Sequence, residues 1–340
     1  MKRRHAFMVA GGGVFLFSLV AGLSAGWFAL ARHMDQPLPL ATPIIFEINR
    51  GSSMRTLGRE FAQRGFIPYA FELRLAAALQ RVSTRIQAGA YEIGPTDTPR
   101  LALQKFAQGR VKIYAVTLAE GLTFAQIQHK LATLPGLRRE LSSASEAEIM
   151  RQISATEGPA EGRFFPSTYY YQHDSTDLAL LTRSYHRLNE ILQREWDRRA
   201  PDLPYRSAED ALILASIIER ETGAAEERAQ IAGVLIRRLQ RSMKLQTDPT
   251  VIYGLGSAFT GRLRRADLDH DTPYNTYTRA GLPPTPICAP GAAAIQAALH
   301  PAAGDALYFV ARGNGTHVFS SSLTAHNEAV RTYQLGAQTP

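Results

Sequence analysis

The sequence contains only one cysteine, Cys288, among 340 residues. One cysteine cannot form an intrachain disulfide, and no cluster of cysteines and histidines has the spacing of a metal site. The chain also lacks a P-loop, the Rossmann glycine pattern and the G-x-S-x-G motif, which argues against nucleotide chemistry and serine hydrolysis. We therefore predict that the protein has neither a metal nor an organic cofactor.

The chain is basic, with a formal net charge of +8 and a pI of about 9.7. Its lysines and arginines are scattered, and neither a zinc-finger spacing nor an RNP-like run is present. This pattern predicts no nucleic-acid partner. A basic surface of this kind suits an anionic surface or polymer instead.

Residues 6–31 form the one long stretch without a charged side chain, and its 26 residues exceed the ~20 that span a bilayer. The basic residues in the tail at 1–5 predict that the N-terminus stays in the cytoplasm and the rest of the chain lies outside. A cleaved signal peptide is the alternative, because Ala29-Leu30-Ala31 resembles a cleavage site. The length of the apolar run favours a retained inner-membrane anchor.

The remainder of the chain predicts an α+β protein with two folded parts. A proline-spaced linker covers residues 32–43. Residues 44–116 show short strands followed by turns and helices, which suits a small binding module. Residues 117–340 predict a larger, mainly helical domain, with long helices near 178–199 and 208–222 and a hairpin near 308–319.

Glu221 ends an apolar helical run and is the strongest candidate for an acid–base group. At ~100° per residue it continues the stripe formed by Leu214, Ile217 and Ile218, whereas Glu219 points roughly 160° away. A carboxyl group at the end of an apolar stripe is desolvated, so its pKa rises and it can act as a general acid near neutral pH.

Several long motifs together resemble the endolytic murein transglycosylase family, also called YceG-like. The matching segments follow the family's order: EGRFFPSTYYY, ASIIERETGAAEERAQIAGVLIRRL, KLQTDPTVIYGLG, YNTYTRAGLPPTPICAPG and YFVARGNGTHVFSSSLTAHN. Cys288 departs from the family pattern without affecting a central residue. The resemblance implies a single N-terminal anchor, a LysM-like module at residues 44–116 and a catalytic domain at 117–340.

The resemblance also implies a reaction and its residues. The chain would cleave the β-1,4 bond between N-acetylmuramic acid and N-acetylglucosamine in nascent peptidoglycan, leave a 1,6-anhydro end, and help to terminate glycan elongation. Glycan strands would be the substrate, with peptidoglycan synthases as candidate partners at the inner membrane. Glu221 matches the catalytic glutamate. The candidate substrate contacts are Gln246, Asp248, Tyr253, Asn275, Tyr277 and Glu161.

Two alternatives stay open at this point. In a conventional hydrolase with two carboxylates, Asp248 or Glu161 would be the partner of Glu221. As a non-catalytic glycan-binding scaffold of the cell-wall synthesis machinery, the protein would bind glycan without cutting it.

Overall fold

The computed structural model describes the backbone of residues 2–154 and 158–335, and the side chains in these ranges from residue 17 to residue 334. The protein is a mixed α+β chain that divides into two compact units, residues 1–114 and 115–340. The predicted α+β class is confirmed. The functions predicted for the two parts stay predictions.

The first unit combines four helices with a two-stranded antiparallel sheet. Its elements are α1 (Lys2–Asp35), β1 (Ile44–Ile48), α2 (Met54–Gln63), α3 (Ala70–Leu79), β2 (Gly89–Ile93) and α4 (Pro99–Gln108). Side-chain hydroxyls begin two of these helices: Ser53 accepts from the Thr56 N–H, and Thr98 accepts from the Leu101 N–H.

Aromatic rings form the centre of the first unit's core. The Phe46 ring lies 5.1 Å from that of Phe61 and 5.5 Å from that of Phe106. Met34 and Leu38 belong to the same buried cluster. The segment predicted as a linker, residues 32–43, is therefore partly packed into this unit.

The predicted membrane segment, residues 6–31, begins before the residues whose side chains are described. From residue 17 onward, α1 exposes large apolar side chains, among them Phe17, Leu23 and Phe28. Across the part of the chain that the structure describes, no helix is both long enough and apolar enough to cross a membrane.

The second unit is mainly helical. The strands are short: β3 (Ile113–Leu118, which begins at the boundary between the units) pairs with β5 (Ser167–Gln172), β4 (Leu137–Arg138) with β6 (Ser175–Thr176), and β7 (Tyr308–Ala311) with β8 (His317–Ser320). The helices are α5 (Phe124–Ala132), α6 (Glu146–Ser154), α7 (Asp177–Asp197), α8 (Ala208–Glu221), α9 (Arg228–Gln240), α10 (Asp248–Leu255), α11 (Arg265–Asp269), α12 (Ala292–Leu299) and α13 (Leu323–Val330).

Helix α8 is the centre of the second unit's core. It packs against α7, α9, α10 and α12, and every residue from Asp210 to Ile218 is buried. Its one buried hydroxyl, Ser216 Oγ, accepts a hydrogen bond of 3.0 Å from the Ile287 N–H. This bond attaches the proline-rich stretch before α12 to the core. Together with the four packed helices, it fixes the position of α8.

Candidate active site

Glu221 is the last residue of α8. The helix begins with the acids Glu209 and Asp210 in its first turn, where the helix dipole favours negative charge. It ends at Glu221 because Thr222 takes an extended conformation, with φ −140° and ψ 137°. The chain therefore leaves the core immediately after the carboxylate that the sequence pattern singled out.

The environment of Glu221 favours the protonated acid. Its Oε2 atom is buried without a hydrogen-bond partner. Burial, with a further contribution from the negative charge of Asp248, raises the pKa of Glu221 to about 8, and the Arg238 cation opposes this rise. Glu221 thus holds a proton at neutral pH, as a general acid must.

Glu219 lies on another side of α8 and is also buried. Its side chain is 6% exposed, and its Oε2 accepts a hydrogen bond of 2.8 Å from the Gly291 N–H at the start of α12. The helical phase correctly separated the two glutamates. The expectation that Glu219 leaves the buried face was wrong, because the start of α12 covers this side of α8 as well.

Glu221 opens onto a cleft of about 470 Å³, a volume typical of small-ligand sites. The lining comes from the ends of α8 and α9, the segment before α10, Tyr277, strand β7 and helix α13. The lining residues are Glu221, Arg238, Leu245, Gln246, Asp248, Tyr277, Tyr308, Phe309, Val310, Ala311, His317, Leu323, His326, Asn327, Val330 and Gln334. The structure therefore brings together four of the predicted site residues: Glu221, Gln246, Asp248 and Tyr277.

Asp248 and Tyr277 both line the cleft and are hydrogen-bonded to each other. The Tyr277 hydroxyl donates to Asp248 Oδ1 at 2.6 Å, and Asp248 is the first residue of α10. Gln246 adopts a left-handed backbone with φ 53°, which is uncommon for a residue other than glycine. Its N–H donates to the Thr276 carbonyl at 3.1 Å. This bond holds the Gln246 segment against the Tyr277 loop.

Asn275 is fully buried beside this lining. Its Nδ2 donates to the carbonyl oxygens of Leu268 and His270, and its Oδ1 accepts from the Tyr277 N–H. All of these partners are backbone groups, so Asn275 shapes the loop that carries Tyr277. It does not line the cleft, and a direct substrate contact does not fit this position.

Glu161 and Tyr253 bind each other away from the cleft lining. The Tyr253 hydroxyl donates to Glu161 Oε2 at 3.1 Å, and the backbone N–H groups of Phe124 and Gly162 donate to the same carboxylate. Burial raises the pKa of Glu161 to about 7, although these hydrogen bonds oppose the rise. The pair joins the loop before β5 to α10. These partners indicate a structural role for Glu161 and Tyr253, and not a substrate contact.

Arg238 is a site residue that the sequence reasoning missed. It is buried, and it donates to the carbonyl oxygens of Leu307, Lys244 and Leu245 at 2.7, 3.2 and 2.8 Å. Its Nη1 also lies 3.4 Å from Gln246 Oε1. A pair of arginines near a helix end is typical of a solvated surface, so no sequence signal separated Arg238 from its neighbour.

The α13 side of the cleft was also missed. The rings of Tyr308 and His326 stack at 5.2 Å, and the Arg238 guanidinium lies 5.2 Å from the Tyr308 ring on which it packs. Burial and Arg238 lower the pKa of His326, so this imidazole is neutral at pH 7. His317 pairs with Glu227 at 2.7 Å. Within the described ranges, no three His, Cys, Asp or Glu side chains converge as a metal site would require.

Comparison with known proteins gives a family match over most of the chain. The model of the YceG-like family matches residues 46–332. The chain is 31% identical over 264 residues to the endolytic murein transglycosylase of Bacillus subtilis (strain 168), covering 73% of each chain. It is 25% identical over 335 residues to the endolytic murein transglycosylase of Streptococcus pneumoniae (strain D39), covering 88% of this chain and 60% of that relative.

A solved structure is also similar. The 2.6 Å crystal structure of a putative yceG-like protein from Listeria monocytogenes is 27% identical to this chain, with a TM-score of 0.50. The match covers 84% of this chain and 98% of that one. The sequence and structure comparisons therefore agree on one family.

Proposed function

The chain belongs to the YceG-like family, and we propose that it cuts peptidoglycan glycan strands internally as a lytic transglycosylase, with Glu221 as its acid–base group. The observation that carries this proposal is a single buried carboxyl group, held protonated at the edge of a cleft, with one oxygen free of internal partners. The relatives named endolytic murein transglycosylase support the substrate class and the reaction.

One carboxyl group can perform both proton transfers of this reaction. Glu221 first protonates the bridging oxygen of the β-1,4 bond, and the C1–oxygen bond of the N-acetylmuramic acid breaks. The C6 hydroxyl of the same sugar then bonds to C1, and the Glu221 carboxylate accepts its proton. The product is a 1,6-anhydro end, Glu221 regains its proton, and no water is consumed.

Three residues are proposed as substrate contacts: Gln246, Asp248 and Tyr277. They line the cleft beside Glu221 and carry amide, carboxylate and hydroxyl groups that suit the hydroxyls and acetamido groups of a glycan. The bond from Tyr277 to Asp248 fixes both side chains before substrate arrives, which lowers the entropic cost of binding.

The competing hydrolase mechanism needs a second carboxylate in the cleft. Asp248 is the only other acid among the lining residues that the structure describes. Cleavage in water enriched in heavy oxygen distinguishes the two mechanisms. We expect 1,6-anhydro ends without the heavy isotope, and reducing ends that carry it would overturn the transglycosylase assignment.

A non-catalytic scaffold would give a third result. It would retain glycan strands in a pull-down but release no new ends, whether or not Glu221 is intact. The raised pKa of Glu221 favours the enzyme, because a scaffold has no use for a buried, protonated acid.

The pH dependence should follow the proton on Glu221. Activity requires the acid form, so it is expected below about pH 8 and lost as the pH rises through that value. The charge of Asp248 contributes to the raised pKa, so Asp248→Asn should move the alkaline limb to lower pH. The measurement is the rate of anhydro-end formation against pH.

Asp271→Asn is the matched control for this shift. Asp271 is exposed, pairs with Arg279 and does not line the cleft. Its substitution should leave the alkaline limb in place. Equal shifts in the two variants would show that Asp248 has no specific influence on Glu221.

The membrane placement of the chain is a further part of the proposal. The charge-free run at 6–31, the basic tail before it and the exposed apolar side chains of α1 from residue 17 support an inner-membrane anchor with the catalytic unit in the periplasm. The proposal also includes the LysM-like identity of residues 44–116 and any glycan binding by that module.

Protease access tests this placement. In cells with a permeabilised outer barrier, an N-terminal tag should stay protected while the chain beyond residue 40 is digested, and the protein should stay in the membrane fraction. A mature chain that starts near Arg32 and is released by salt would identify the segment as a cleaved signal instead.

A further inference from the structure

Helix α3 of the first unit has an unusual outward face. Leu73, Ala76 and Ala77 point into the core. The outward side chains are Phe71, Arg74, Leu75, Ala78 and Leu79. Phe71, Leu75 and Leu79 are 55%, 43% and 50% exposed. A surface helix normally presents polar residues to water, whereas four of these five outward side chains are apolar.

The outward face of α3 continues onto α1. A surface groove of about 460 Å³ runs along the two helices where they meet. Its walls include Leu23 and Trp27 from α1 and Tyr69, Phe71 and Leu75 from the α3 side. We call these five residues, together with Leu79, the α1–α3 face. Contiguous exposed apolar surfaces of this kind mark interaction sites.

Specific contacts hold the two helices together. His33 Nδ1 lies 2.9 Å from Glu72 Oε1, and Leu30 and Met34 of α1 are buried in the same core cluster as Leu73 of α3. The α1–α3 face is therefore one preformed surface. A partner does not have to assemble it.

We propose that the α1–α3 face rests in the interfacial layer of a lipid bilayer, so that α3 lies along the membrane beside α1. Trp27 and Tyr69 are the side chains that concentrate at membrane interfaces. Arg32, Arg74 and Arg81 are exposed nearby and no acidic side chain lies on the outward side of α3, which complements anionic headgroups. A second copy of the chain would instead bring these arginines together.

This inference rests on the membrane placement proposed above and is independent of the catalytic proposal. It assigns a role to α3, beyond that of α1, in seating the first unit on the lipid surface. Arg74 would extend its apolar stem along the face and keep its guanidinium at the headgroups.

Two single-cysteine probes on the full-length chain test the proposal. Leu75→Cys places a fluorophore on the α1–α3 face. Leu101→Cys is the matched control, because Leu101 is also an exposed helical leucine, at 42%, and does not line the groove between α1 and α3. Native Cys288 is buried, and the unsubstituted chain serves as the labelling blank.

The labelled chains are reconstituted into vesicles of mixed anionic and zwitterionic phospholipid that contain nitroxide-labelled lipid. We expect quenching at position 75 to be several-fold stronger than at position 101. Adding Arg74→Glu should weaken quenching at position 75 in anionic vesicles. Vesicle flotation is recorded on the same samples, so that anchoring is measured separately.

Each other outcome overturns the proposal. Chains that float with the vesicles but show equal quenching at both positions keep the anchor and lose the role of α3. Chains that do not float lose both. A spectral shift at position 75 that grows with protein concentration in micelles, without lipid quenching, would identify a second copy as the occupant of the face.

Discussion

Replacing Glu221 with glutamine is expected to abolish glycan cleavage and leave the fold intact. Glutamine keeps the shape of the side chain but cannot donate the proton that the bridging oxygen needs. Removal of general acid–base help costs ~10²–10⁴ in rate, and here both proton transfers depend on the same group. The measurement is the release of anhydro ends from purified glycan strands, with circular dichroism as the check on folding.

Glu219→Gln is the control for this substitution, because it makes the same chemical change two residues earlier on the same helix. Glu219 is buried and supports the start of α12 through the Gly291 N–H, and the amide oxygen of glutamine can still accept that bond. We expect nearly full activity. Equal losses in the two variants would mean that damage to the end of α8, and not the loss of a proton donor, inactivates the enzyme.

The sequence could single out Glu221 as a candidate because helical phase reports the direction of a side chain. It could not report how much of the helix is covered. The apolar stripe of α8 suggested burial on one side, but Ser216 and Asp210 are buried too, because neighbouring helices surround α8. Burial of a helix depends on residues distant in the sequence, which periodicity within one segment does not contain.

Polar loop residues show a second limit of the sequence. Gln246, Asp248, Asn275 and Tyr277 look alike as candidates, since each lies in a polar, turn-rich segment. The structure separates Asn275 from the others, because its amide is used by backbone groups of its own loop. Composition gives the capacity for hydrogen bonds, but the partners are chosen by the tertiary fold.

The α13 side of the cleft illustrates long-range assembly. His326 and Tyr308 are more than 80 residues from Glu221 in the sequence, yet both line the same cleft. The sequence predicted the hairpin that contains Tyr308, and helix α13 follows that hairpin in the chain. It did not predict that these elements would face the end of α8, because short hairpins and helices can pack in many arrangements.

Arg238→Met is expected to lower both stability and activity. The substitution leaves the carbonyl oxygens of Lys244, Leu245 and Leu307 without their buried donor. Hydrogen bonds to a charged group contribute ~1.5–3 kcal/mol each, so we expect the free energy of unfolding to fall by about 3 kcal/mol after relaxation. Chemical denaturation measures this loss.

The effect of Arg238→Met on catalysis should have its own signature. The Arg238 cation lowers the pKa of Glu221, so it favours the carboxylate that forms once Glu221 has given up its proton. Without the cation the pKa of Glu221 rises, and the alkaline limb should move to higher pH. One pKa unit corresponds to ~1.36 kcal/mol. A shift of that size would slow proton donation by at most about tenfold, because the rate follows only part of the change in acidity.

Arg237→Met separates the two effects. Arg237 also donates to backbone carbonyls, those of Ala306 at 2.7 Å and Ala302 at 3.2 Å, but it does not line the cleft. This variant should lose stability while the pH profile stays in place. If both variants lost activity equally and neither moved the alkaline limb, Arg238 would act only by holding the Gln246 segment. A limb that moves in Arg238→Met alone would make the guanidinium an electrostatic partner of the proposed acid Glu221, because Arg238 of α9 lines the same cleft and Arg237 does not.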